Sequence, residues 1–148
     1  MPITLNGTTG IVSPALDSDG SLTVGPAVMD APTGSAPLFA CRAWVNFDGT
    51  RDTTGAASTA NTNRLIRGSG NVTSVLRNGT GDYTITFTTA MPDANYGYLC
   101  SGSTATRTPV IGANDTYRPT TTTLRVFAYP AGNTSPADAT DVCVTIIR

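Results

Sequence analysis

The side chains of this chain that could act as acid, base or ligand are few in kind. Its 148 residues hold no His, and because Glu, Lys and Gln do not occur, its ten acids are all Asp and its nine bases all Arg. Hydrolytic chemistry near neutral pH most often uses His as the general base, or else two carboxylates held in different environments. Apart from Asp17 and Asp19, the carboxylates nearest each other in sequence are Asp48/Asp52 and Asp138/Asp141. Both pairs stand beside Gly, Thr or Pro in segments read as loops, where Asp closes turns by accepting hydrogen bonds from nearby backbone amides. They are read as turn formers, with no catalytic residue, and the chain as non-enzymatic.

The ligand inventory is equally poor. Cys41, Cys100 and Cys143 are dispersed, each inside an apolar run, so they read as buried reduced thiols acting as small hydrophobes, not as a zinc set. Asp17-Ser18-Asp19-Gly20 has the opening of a calcium loop. The Gly falls at the fourth position, where the EF-hand pattern wants it at the sixth, and Val28 occupies the place of the bidentate Glu. No metal and no cofactor are expected. The Asn-X-Thr/Ser tripeptides at Asn6, Asn71, Asn78, Asn114 and Asn133 arise by chance in a chain rich in Asn and Thr.

A net charge of -1, with the Arg scattered singly, gives no excess of cations for neutralising phosphates, so nucleic acid is not expected as a partner. No apolar stretch approaches the ~20 residues that cross a bilayer, and Met1 to Gly10 has neither part of a signal peptide. The expectation is a chain made and folded in a cytosol, with no membrane partner. The residue types that fill helix surfaces are the missing ones, while Thr, Gly, Asn, Pro and Ser are plentiful. Strands are therefore expected to position whatever the protein uses.

Residues 1–37 are rich in Gly, Pro, Ser, Thr and Asp, and carry short apolar islands that include Ile3/Leu5 and Ile11/Val12. They read as an extended N-terminal arm. From residue 38 to 148 the pattern is alternating runs separated by turn chemistry, which predicts a single antiparallel β-sandwich or jelly-roll-like domain of six or seven strands. In the first run, Leu38 to Phe47, Phe39, Cys41, Ala43, Val45 and Phe47 share one face. Residues 48–63 read as a long surface loop, and Leu65 and Ile66 restore an apolar pair. Val72 to Arg77 and Asp82 to Thr88 read as strands, joined by Asn78-Gly79-Thr80-Gly81, in which Asn-Gly supplies the positive-φ residues of a tight hairpin. A turn over Met91 to Asn95 leads to a strand over Tyr96 to Ser103. Residues 104–119 are polar and contain Pro, and Thr120 to Tyr129 and Thr140 to Arg148 are the last strands.

Two places could make contacts. Strict alternation sets Arg42 and Trp44, the only Trp, on the face opposite Val45 and Phe47, where they form a candidate subunit interface. Asn95, Tyr96 and Tyr98, beside the Met91 turn, form a candidate surface-recognition loop.

The segments AWVNFDGT (43–50) and IRGSGNVTSVLRNGTGDYTITFTTAMPDANY (66–96), with the closing run DVCVTIIR (141–148), resemble a module of tail-fibre and other virion structural proteins of tailed bacteriophages, marine and cyanobacterial ones among them. The opening MPITLNGTTGI (1–11) is similar to the start of many phage fibre or appendage proteins. The resemblance implies a homotrimer on the virion exterior, assembled in the host cytoplasm, without chemistry of its own. One module and an arm leave no room for a fibre shaft. The expectation is therefore a capsid-decorating (cement) protein whose arm, through Ile3, Leu5, Ile11 and Val12, anchors to the major capsid protein or other virion proteins. The alternative is a short tail-fibre or receptor-binding tip that contacts a host surface receptor.

Overall fold

Tyr83, Ile85 and Phe87 alternate with Thr84 and Thr86, and Val142, Val144 and Ile146 alternate with Cys143 and Thr145. In a computed structural model of the protein both runs are strands whose first set is buried. The structure describes residues 40–103, 109–112, 117–130, 132 and 134–148, with backbone alone at 109–112. The expected arm with Ile3, Leu5, Ile11 and Val12, the Asp17–Gly20 turn and Phe39 lie outside the described residues.

The described residues form eight strands: β1 (Cys41–Asp52), β2 (Arg64–Gly70), β3 (Val72–Gly79), β4 (Asp82–Phe87), β5 (Gly97–Ser103), β6 (Pro109–Gly112), β7 (Thr123–Pro130) and β8 (Asp141–Ile147). They make two four-stranded sheets in the orders β2-β1-β8-β5 and β3-β4-β7-β6. Every pairing is antiparallel. The fold is thus the expected all-β sandwich, with β6 the strand hidden inside the segment read as polar and irregular. Short edge strands such as β6 carry too few residues to declare a period.

The core between the sheets is built from Ala43, Val45 and Phe47 of β1 and Val142, Val144 and Ile146 of β8. Facing them are Val72 and Val75 of β3, Tyr83, Ile85 and Phe87 of β4, and Leu124, Val126 and Ala128 of β7. Phe47 and Tyr83 meet edge to face across it, with ring centroids 5.1 Å apart. That geometry sets the positive edge of one ring on the negative face of the other.

Simple alternation fails first in β1. Cys41 pairs with Ile147 and Ala43 with Ile146, so β1 carries one extra residue, Arg42, as a bulge. The bulge turns Cys41 to the outside, where it is exposed, and breaks the expected face shared by Cys41 and Ala43. Cys100 and Cys143 are half-buried, and all three thiols are free. In the β3–β4 hairpin it is Gly81, not Asn78-Gly79, that takes the positive φ, at 63°. A Cβ there would also come within 2.7 Å of the Ala128 carbonyl, so only Gly fits on both counts. Asn71, with φ 57°, makes the corner at which the chain passes from β2 in one sheet to β3 in the other. Its side chain ties the corner by donating to the carbonyls of Arg42 and Thr89 and accepting from the Thr89 amide.

Candidate functional site

The outward face of the β2-β1-β8-β5 sheet has an apolar row across it. Registers place Gly70 of β2, Trp44 of β1, Thr145 of β8 and Leu99 of β5 side by side. Trp44 and Leu99 remain 45% and 63% exposed. The indole lies over β2: a Cβ on Gly70 would stand 2.5 Å from its Nε1 and one on Gly68 3.2 Å from its Cη2. The Gly-Ser-Gly run of β2 is therefore a flat bed that fixes the ring against the sheet. Cys41, Ile147 and Gly97 form the adjoining row. Arg42 is exposed at the bulge beside it.

Polar groups bound this patch on the side away from Ile147. The bulge between Asn46 and Phe47 leaves Arg67 of β2 without a register partner on β1. Arg67 reaches Asp48 Oδ2 at 2.7 Å, Asp141 Oδ1 at 3.1 Å and the Thr140 carbonyl at 2.7 Å. Asn46 donates to Asp141 and to the Cys143 sulfur, both at 2.9 Å. An apolar centre with a hydrogen-bonded rim is the ordinary anatomy of a protein contact surface.

The two carboxylate pairs of the sequence do not form sites. Asp48 is buried, paired to Arg67, and accepts from the Thr50 amide and hydroxyl at 2.9 and 2.6 Å, while Asp52 caps the Thr54 amide and hydroxyl. Asp141 faces outward with Arg67. Asp138 belongs to a different cluster at the end of the sandwich, where Arg77 Nη2 meets its Oδ2 at 2.9 Å and Tyr83 Oη its Oδ1 at 2.9 Å. The Gly81 amide donates to the same oxygen as Tyr83, at 2.8 Å. Burial would raise the Asp138 pKa, but the Arg77, Gly81 and Tyr83 hydrogen bonds outweigh it and hold the carboxyl below its usual range. Burial first, and then Asp138, pushes the Tyr83 phenol far up. The cluster locks the β3–β4 hairpin to the chain entering β8.

The segment read as a long surface loop is ordered by two arginines. Arg64, fully buried, donates to the carbonyls of Ser58, Ala60 and Thr62, and Arg77 to the Thr59 carbonyl and Asn61 Oδ1. A shallow cleft of about 250 Å³ lies beside it, lined by Thr53, Asn63, Arg64, Leu65, Ile66, Thr73 and Ser74. The guanidinium in its wall is already satisfied by carbonyls. Among the described residues no three Cys and Asp side chains converge on a point that could hold a metal.

The structure separates the residues of the expected recognition loop. Tyr96 is buried, edge to face with Phe87 at 5.8 Å, and its hydroxyl donates to the Thr120 or Thr123 carbonyl. Burial lifts its pKa to about 12. It anchors the connection from β4 to β5 in the core, together with buried Met91. Asn95 is exposed and its amide donates to Asp93, and Tyr98 is partly exposed on edge strand β5.

Sequence reasoning did not single out Arg64 and Arg77, which look like any arginines in strands, or the outward residues Arg125, Phe127 and Tyr129. The period of β7 could have found the latter, since they alternate with buried Leu124, Val126 and Ala128. The fold and its geometry define an antiparallel β-sandwich whose exposed aromatic and apolar side chains stand on its outward sheet faces. No protein-family model, no curated protein and no solved structure matches the chain.

Proposed function

We propose that this chain is a non-catalytic structural protein of a phage virion, a homotrimeric decorating or cement protein on the outside of the head, and that the Trp44 face is its contact surface. The observation that carries the contact reading is the row of Trp44, Thr145 and Leu99 across three strands, exposed at Trp44 and Leu99, half-buried at Thr145 and stiffened by the glycines of β2. A flat, immobilised Trp loses little freedom when a partner covers it, which is why Trp dominates contact energies. The virion assignment rests on the resemblance of residues 43–50, 66–96 and 141–148 to phage structural modules. The non-catalytic reading is supported by the acids: every described Asp already holds an Arg, hydroxyl or amide partner.

Quantitative copy number in purified virions tests the role. Hundreds of copies per particle, retained on DNA-free heads, are expected of a decorating protein. A few copies confined to the tail replace that role with the tail-fibre alternative, and absence from the particle removes both.

A further inference from the structure

We propose that the outward face of the β3-β4-β7-β6 sheet is a binding platform for a neutral carbohydrate, built on Tyr117, Phe127 and Tyr129. The site is separate from the Trp44 face and does not depend on it. Phe127 and Tyr129 point outward from β7, and Tyr117 comes from the segment before that strand. Successive ring centroids are 6.2 and 6.5 Å apart, with each pair of planes within 22° of parallel. Tyr117 is 42% exposed.

The rings are held in place by charge. Arg125 Cζ sits 3.6 Å from the Tyr117 centroid and 5.6 Å from that of Phe127. Its guanidinium is fixed in turn by Asp82, with Nε to Oδ1 at 2.8 Å and Nη2 to Oδ2 at 2.5 Å. Asn78 donates to the same Oδ1 at 3.1 Å. A cation over the ring face and a two-pronged ion pair beneath it fix Tyr117 before any ligand arrives. Gly79 and Gly112 stand at the two ends of the row that contains Asp82 and Phe127, so the row itself carries no side chain at either end.

The chemistry of the face selects among ligands that like aromatic rings. The strands bring one cation and one anion to this face, Arg125 and Asp82, and these neutralise each other. A stacked nucleic-acid strand needs a series of unpaired cations for its phosphates, and beside that neutralised pair the described chain next to the rings adds one, the exposed Arg118 that follows Tyr117. Among the residues of the face whose side chains are described, the others are mostly hydroxyl and amide, from Ser74, Asn78, Thr84, Thr86 and Thr123, with Leu76 aliphatic. A pyranose matches both parts: its polarised C–H bonds lie on the negative faces of aromatic rings, and its hydroxyls exchange hydrogen bonds at the rim. The ring spacing is on the scale of one sugar unit, so neighbouring rings can hold neighbouring units of a chain.

Affinity electrophoresis of the full chain through gels containing hydroxyethylcellulose, xylan, galactomannan or dextran, with heparin and a single-stranded oligonucleotide as charged comparators, tests the proposal. At protein concentrations where the wild type is monomeric, retardation by at least one neutral polysaccharide is expected, about tenfold weaker in Tyr117→Ala and unchanged in Trp44→Ala, which alters the other sheet. Tyr129→Ser provides a second variant should Tyr117→Ala fail to fold, and Tyr117→Phe, which keeps the ring, should still bind. No retardation by any neutral polymer overturns the proposal. So does retardation that neither Tyr117→Ala nor Tyr129→Ser weakens, or binding confined to heparin or the oligonucleotide.

Discussion

The two sheets present the same chemistry inward and opposite chemistry outward. Toward the core both follow one rule, alternate apolar side chains, and Val142-Val144-Ile146 of β8 and Leu124-Val126-Ala128 of β7 are interchangeable in kind. Outward, the first sheet lays a single indole flat on glycines beside Leu99 and Ile147, a surface suited to losing water against another protein. The second carries a row of rings braced by Arg125 and Asp82 and surrounded by hydroxyls, a surface suited to a ligand that stays partly hydrated. Stability is thus shared by the two halves, while the exposed apolar and aromatic surface is divided between them.

The largest effect is expected where both halves are lost together. Asp138→Asn leaves the buried Arg77 guanidinium without its counter-charge and should cost about 3 kcal/mol in urea unfolding, weakening both faces at once. The pH dependence has a definite sign. Asp138 is held below its usual value in the folded protein, so its contribution is complete above about pH 4 and vanishes as acidification passes through the lower folded value. The wild type should therefore lose stability on acidification more steeply than the variant, which has no charge to lose. Parallel slopes would show that the cluster is not the acid-sensitive lock.

A smaller change should break one face alone. Gly70→Ala sets a methyl group 2.5 Å from Trp44 Nε1 and forces the indole off its bed, at a cost of about 1 kcal/mol. Because Trp44 is the only Trp, its emission should shift to the red while the aromatic row on the other sheet is untouched. An unchanged spectrum would mean that the glycines do not hold the ring.

The smallest effect sharpens the contrast without altering the fold. Burial raises the Cys100 thiol to about 11, whereas Cys41 is exposed next to the Trp44 row. Iodoacetamide at about pH 8 should modify Cys41 well before Cys100 in dilute protein. At concentrations where the subunits associate, Cys41 should become protected. Labelling of Cys41 that ignores concentration would place the subunit contact elsewhere.

What the sequence disclosed was decided by local period. The runs of β4, β7 and β8 read correctly because each side chain's neighbour two residues on shares its environment. β1 was legible as a strand but not in its faces, since a bulge at Arg42 is set by pairing with β8, about a hundred residues away in the chain. Gly68 and Gly70 carry no apolar period of their own, yet they lie within β2, where the Trp44 ring takes the space their side chains would fill. Tyr96 looked like a recognition residue for the same reason that it makes a good anchor: an aromatic body for the core and a hydroxyl that donates to the Thr120 or Thr123 carbonyl. Trp44 itself was found by alternation, but its flat bed depends on cross-strand register, and so does the grouping of Tyr117 with β7.

Sedimentation equilibrium of the full chain and of Trp44→Ala tests the central claim most directly. The account predicts a concentration-dependent trimer for the wild type and, for the variant, a folded monomer whose melting midpoint does not change with concentration and matches that of the wild type diluted to monomer. A wild-type monomer at all concentrations, or a variant that assembles as well as the wild type, would contradict it.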